Sequence, residues 1–220
     1  MNGNVQTLNT DSLEYVRYLP DNCFDLLVAD PPYGIGMSKP AGKSQEYSKK
    51  ELKDHKWDDE APSAEFFKEL FRVSKNQIVF GANHFIDRIP EPRNSSCWIV
   101  WDKRENIIPE RTYADCELAW TSFKSPTRVF RFFWDGFLQR QNEIRIHPTQ
   151  KPVSLYEWIF MRYAKEGFRI LDPFGGSFSS AVAAHRLDMN LELTIIEKNE
   201  EIFETGRRRY VDDTSQQRLF

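Results

Sequence analysis

Phe168-Arg169-Ile170-Leu171-Asp172-Pro173-Phe174-Gly175-Gly176-Ser177 is the stretch that decides the fold. Its first four residues predict a strand, a short run with no helical period. Asp172 and Pro173 stop it, and two glycines turn the chain. Ser179, Ser180, Ala181, Ala183 and Ala184 follow, so a small-residue helix is expected over 178–187, able to pack close to its neighbours. Strand, glycine turn and helix is how a doubly wound α/β sheet cradles a nucleotide-like ligand. Leu193-Thr194-Ile195-Ile196 predicts the next strand, which closes on Glu197. An acid in that place commonly holds ribose hydroxyls. The glycines do not spell G-x-G-x-x-G, which argues against a nicotinamide cofactor.

Far upstream, Phe24-Asp25-Leu26-Leu27-Val28-Ala29 predicts a second buried strand, stopped by Asp30-Pro31-Pro32-Tyr33. Proline cannot extend a central ladder and biases the residue before it towards extended backbone. Asp30 is thereby held at the carboxyl end of a strand, with Tyr33 past a stiff corner. The corner suits one kind of chemistry. An exocyclic amine on a nucleobase is a poor nucleophile because its lone pair is delocalised into the ring. Two acceptors aimed at its two N–H bonds favour the pyramidal, nucleophilic form. Asp30 offers one acceptor and the Pro31 carbonyl, fixed by Pro32, offers the other, an arrangement that is preorganised where charge develops. Tyr33 offers a flat face to a base taken out of its stack. At average residue usage the tetrapeptide arises by chance in roughly one chain of this length per thousand, so further motifs must decide.

Other elements complete the pattern. A helix is expected from the Ser63 cap to about Ser74, then strands at 78–80, 97–101, 115–121 and 129–134. His147-Pro148-Thr149-Gln150-Lys151-Pro152 introduces a helix over 153–164 and places polar groups at its N-terminus, where a carboxylate would fit. Strands alternating with helices argue an α/β sheet in one domain over 1–220. A lysine-rich loop spans about 34–60 and carries Lys39, Lys43, Lys49 and Lys50, suited to phosphate contact. Arg128 and Arg131 interleave with Phe130 and Phe132, another nucleic-acid pattern. The net charge of −3 supplies no global basic field, so any polyanion must rest on such patches. Three scattered cysteines suggest neither a metal site nor a disulfide framework. With no apolar run of membrane length, a soluble, cytoplasmic protein with no membrane partner is the expectation.

Assembled, these residues resemble the beta-ordered amino-methyltransferases of DNA, N6-adenine and N4-cytosine, of phage or prophage type, in which the catalytic motif precedes the donor motif. Asp30 to Tyr33, His147 to Pro152 and Asp172 to Ser177 match in sequence order, and Glu197 follows. Trp57-Asp58, Gly81 to Phe85 and Glu117 to Trp120 are similar too. The resemblance implies a Rossmann-like S-adenosylmethionine-dependent methyltransferase fold, mostly parallel with helices on both faces. It implies S-adenosyl-L-methionine as donor and double-stranded DNA, its target base flipped, as substrate. By match, Asp172, Pro173, Phe174, Gly175, Gly176 and Ser177 line the donor with Glu197, and His147, Thr149 and Lys151 hold its methionine end. Asp30 favours adenine, since cytosine members more often carry serine there. The segment left for target recognition, about 104–145, is short, implying limited specificity or a second subunit such as a homodimer. One position departs from the family pattern: Phe178 stands where a glycine is usual. Either Gly175-Gly176 carry the bend one step earlier and the ring turns into the core, or the ring blocks the donor and the chain is a non-catalytic, DNA- or partner-binding subunit.

Overall fold

The computed structural model describes residues 4–36, 60–104, 114–135, 138–139, 143, 146, 149–187 and 189–215. The chain opens with strand β1 (Asn4–Asn9) and helix α1 (Ser12–Val16), whose first turn is capped by Asp11 accepting from the Leu13 and Glu14 amides. Strand β2 (Leu26–Ala29) leads to the Asp30 corner. Helix α2 (Ala64–Arg72) starts on Ser63, whose hydroxyl accepts from the Phe66 amide, and it carries Glu65 in its first turn and Arg72 in its last. Both ends therefore suit the helix dipole. Strands β3 (Gln77–Phe80), β4 (Trp98–Asp102), β5 (Cys116–Thr121) and β6 (Arg128–Arg131) follow, then a short ribbon of β7 (Trp134–Asp135) and β8 (Leu138–Gln139). Helix α3 (Val153–Tyr163), strand β9 (Arg169–Asp172), helix α4 (Ser179–Arg186), strand β10 (Glu192–Glu197) and helix α5 (Glu200–Ser215) complete the described chain.

Eight strands form one sheet in the order β1-β10-β9-β2-β3-β5-β4-β6. The first five run parallel, β5 is antiparallel to both of its neighbours, and β6 is parallel to β4. Strand β2 shows why the sheet is covered twice. Leu26 and Val28 face one core with residues of α3, α4 and α5, while Leu27 and Ala29 face a second with Val16 of α1 and Phe67 and Leu70 of α2. Alternate residues of a strand point to opposite faces, so a strand apolar throughout demands helices on both sides. The expected doubly wound α/β fold is the one observed.

The order of the strands places the site. From β9 the chain moves outward to β10, and from β2 it moves the other way to β3. Ligands of open parallel sheets sit outside the carboxyl ends of strands at such a reversal. Asp172 ends β9, and Asp30 follows β2 directly. Sequence patterning missed helix α1 and, of more consequence for the sheet, strand β1. It lies on the sheet edge, four of its six residues are polar, and its apolar residues Val5 and Leu8 do not keep a period of two.

Candidate active site

Asp30 is the centre of a compact charged cluster. Its Oδ1 accepts from Lys151 Nζ at 2.5 Å and from the Tyr33 hydroxyl at 3.1 Å. Lys151 Nζ also lies 3.1 Å from Glu117 Oε2, and the Tyr33 hydroxyl is 3.2 Å from that same oxygen. The other Glu117 oxygen accepts from Lys103 Nζ at 3.1 Å. Lys151 is only 4 % exposed, with its ammonium 4.8 Å from the centre of the Phe80 ring. Burial pushes the Asp30 carboxyl up, Lys151 pulls it down, and Glu117 raises it again, for a net rise. Burial also raises Glu117, but Lys151 and Lys103 outweigh it and hold the carboxyl down to about 2. Burial and both carboxylates keep the Tyr33 hydroxyl protonated, well above its ordinary range.

Local backbone explains how Tyr33 reaches this place. Its ring stacks on His84, with centroids 5.5 Å apart, and lies directly over Gly81. A Cβ on Gly81 would stand 2.2 Å from the ring, and φ there is +67°. Glycine is thus required twice over at the end of β3. Just beyond the corner, Gly34 packs on the backbone of Ala61, where a Cβ would meet the amide nitrogen at 2.8 Å. The two flanks of the lysine-rich stretch therefore meet beside Tyr33. Lys39, Lys43, Lys49 and Lys50, with Trp57 and Asp58, lie outside the described residues.

The glycine turn lies at the neighbouring strand end. Asp172 is 2 % exposed, accepts from the Phe174 amide at 3.1 Å and from the Ser180 hydroxyl at 2.5 Å, and is pushed up to about 7, chiefly by burial. The Pro173 carbonyl is pinned by Ser12 at 2.6 Å. Gly175 is pressed against β10, where a Cβ would stand 2.9 Å from Ile195, while the Cβ direction of Gly176 is open, with nothing nearer than the Phe174 carbonyl at 3.8 Å. Glu197 Oε2 accepts from the Gly176 amide at 3.0 Å, so the acid that ends β10 reaches the turn itself. A glycine face left open, rimmed by Asp172 and Glu197, fits a nucleoside-like donor.

Phe178 keeps the left-handed backbone of the glycine it replaces, at φ 60° and ψ 26°, and Gly176 is left-handed as well. The bend has not simply moved one step earlier. The ring nevertheless turns into the core, fully buried edge-on to Phe203 at 5.7 Å. Gly206 of α5 makes room, since a Cβ there would lie 2.4 Å from the ring and 2.5 Å from the Gly176 carbonyl. Arg209, one turn on, donates to the Ser177 carbonyl at 2.7 Å and pairs with Glu143 at 3.1 Å.

Lys151 links the two halves. Its carbonyl accepts from Ser179 at 2.8 Å beside the glycine turn, but its ammonium, expected at the donor's methionine end, lies instead on Asp30 and Glu117, drawn there by the two carboxylates. The structure thus brings Asp30, Tyr33, Lys151, Asp172 and the glycine turn to one sheet edge. Thr149 is exposed nearby, and His147 lies outside the described residues. Arg131 ends β6 on the edge that carries Asp30, but Arg128 begins that strand at the opposite edge. The described parts of 104–145 include β5 and β6, so much of the segment expected to read the target is built into the sheet. Glu117 and Lys103 received no role from the sequence. The one available signal was an acid in an otherwise apolar strand, Glu117-Leu118-Ala119-Trp120.

Comparison with known proteins agrees with this arrangement. The chain is 25 % identical to the type II methyltransferase M2.MboI of Moraxella bovis, over 96 % of this chain and 89 % of that protein. It is 26 % identical to the type II methyltransferase M2.DpnII of Streptococcus pneumoniae, over 82 % and 80 %. The fold matches that of PvuII DNA methyltransferase, described as cytosine-N4-specific, with TM-score 0.62 at 14 % identity, covering 95 % of this chain and 87 % of that one. No helix among the described residues is long and apolar enough to cross a membrane. A family profile described as DNA methylase matches residues 92–208, more than half of the chain and inclusive of both Lys151 and the glycine turn; the chain belongs to the N6/N4 family of DNA methyltransferases.

Proposed function

We propose that the protein methylates the exocyclic N6 of adenine in double-stranded DNA, on a base flipped into the Asp30 corner. The observation that carries the reading is the buried cluster of Asp30, Tyr33 and Lys151 at the same sheet reversal as the glycine turn. S-adenosyl-L-methionine, when bound, supplies an electrophilic methyl group on a sulfonium. Pro173 to Ser177, Asp172 and Glu197 are the residues assigned to hold it, with Thr149 and His147 towards its methionine end. Adenine rather than cytosine rests on the acid at position 30. The N4-cytosine reading stays as the alternative, and the PvuII fold accommodates it.

The chain's own groups perform three tasks. Oδ1 of Asp30 is held by Lys151 and Tyr33. Oδ2 is the acceptor we assign to one amine N–H, with the Pro31 carbonyl taking the other. That pair turns the nitrogen lone pair out of the ring and towards the methyl. Once it carries the methyl group the amine nitrogen would be cationic, and Asp30 is the group placed to take its surplus proton and pass it to solvent. Tyr33, already stacked on His84, extends an aromatic surface to the base, worth about 1–3 kcal/mol. DNA phosphates fall to Lys39, Lys43, Lys49, Lys50 and Arg131. Arg128 is a weaker candidate, because it starts its strand on the far edge.

A tritiated-donor assay offering DNA, RNA and bulk protein tests the reading. Label is expected in DNA alone. Label in protein or RNA, or none in DNA, would refute it.

A further inference from the structure

Lys151 raises a charge problem at the corner. Methyl transfer moves positive charge from sulfur to the attacking nitrogen. An ammonium 2.5 Å from the carboxylate that should face that nitrogen opposes the change. It does so with little water to screen it, since Lys151 is 4 % exposed. Paired with Lys151 alone, Asp30 would present a neutral corner to a cationic reaction. Glu117 Oε2, 3.1 Å from the same nitrogen, offsets the ammonium's charge. The Tyr33 hydroxyl lies within hydrogen-bond distance of both carboxylates, so it ties the Glu117 side to Asp30. Lys103 holds the far oxygen of Glu117 from the rim, where it is 20 % exposed.

Packing alone does not account for such a cluster. Ion pairs taken out of water recover their desolvation cost poorly, and apolar residues of similar volume often serve stability as well or better. The cluster lies instead where β5 passes the catalytic corner. Resting on the methyl-transfer reading above, we propose that Glu117 is a positioning residue for catalysis: it holds Lys151 in place and offsets its charge, so that the ammonium opposes less the positive charge that develops on the target amine.

The groups facing Asp30 are Lys151 ahead of α3, Glu117 from β5, Tyr33 from its own corner, Asp172 from β9 and Tyr156 from α3. Lys103, after β4, acts on it through Glu117. Glu117→Gln keeps the shape and removes the like charge that raises Asp30. The experiment is steady-state methylation of DNA across pH, with donor affinity from calorimetry and a melting curve. The plateau kcat should fall at least tenfold and donor affinity should stay within twofold. The acidic limb of kcat/KM should move to lower pH. Lys103→Gln, a rim change that leaves the fold to the core, should move that limb the opposite way, and it decides the matter if Glu117→Gln does not fold. Wild-type kcat in Glu117→Gln, or an acidic limb unmoved in both variants, overturns the role of Glu117. Failure of the wild type itself to methylate DNA would instead overturn the proposed function, so the two failures are distinguishable.

Discussion

Replacing Phe178 by glycine sets two opposing effects against each other. The ring is fully buried against Phe203 and over Gly206, so its removal leaves a cavity between α4 and α5. Core phenylalanine truncations cost about 3–5 kcal/mol. The same residue sits in the left-handed region, which costs a residue with a Cβ about 1–2 kcal/mol and costs glycine almost nothing. The net loss is therefore about 1–4 kcal/mol. For a domain of this size each kcal/mol lowers Tm by about 2–4 °C, so a drop on the order of 5–10 °C is expected. Donor affinity, read by calorimetric titration, should not improve, because the ring does not lie on the open side of Gly176. Unchanged melting with tighter donor binding would refute the packing account and revive the blocked-pocket reading.

Further expectations follow from the same geometry. Gly206→Ala gains about 1 kcal/mol of helix propensity but drives a Cβ to 2.5 Å from the Gly176 carbonyl, so it should lower both Tm and donor affinity; a raised Tm would contradict this. Asp172, raised by burial to about 7, binds its proton more tightly folded than unfolded, so its contribution to stability is greatest below pH 4 and is lost as pH rises through 7. The stability of the wild type relative to Asp172→Asn should accordingly fall as pH rises from 4 to 8, by about a few kcal/mol; a difference independent of pH in chemical denaturation would rule this out. Joint replacement of Lys49 and Lys50 by glutamine should flatten the salt dependence of DNA binding by about 0.9 per lost phosphate contact, and an unchanged slope would leave them without a role in DNA binding.

Much of the fold was legible because the central strands are apolar on both faces and end in proline or glycine. Leu26 to Ala29 and Ile170 to Leu171 allow no other placement. The Asp30 corner and the glycine turn were legible for a related reason: each is a backbone break at a strand end, and Pro31-Pro32 and Gly175-Gly176 announce one. Edge strand β1 was not legible, since half-exposed polar residues carry no such period. Nor was the meeting of Lys151 with Glu117. Their partnership depends on β5 entering the sheet antiparallel beside β3, a non-local pairing that no local pattern encodes. Of the two readings of Phe178 the core ring is the one observed, but its left-handed backbone was not foreseen, because the space it needs is made by Gly206, well along the chain in α5.

The central claim is that the Asp30 corner methylates the exocyclic amine of adenine in DNA. Mass spectrometry of nucleosides from DNA incubated with donor and either the wild-type protein or Asp30→Ala tests it most directly. The account predicts N6-methyladenine with the wild type and less than a tenth of it with a folded Asp30→Ala variant. N4-methylcytosine as the product, or N6-methyladenine undiminished in the variant, would contradict it.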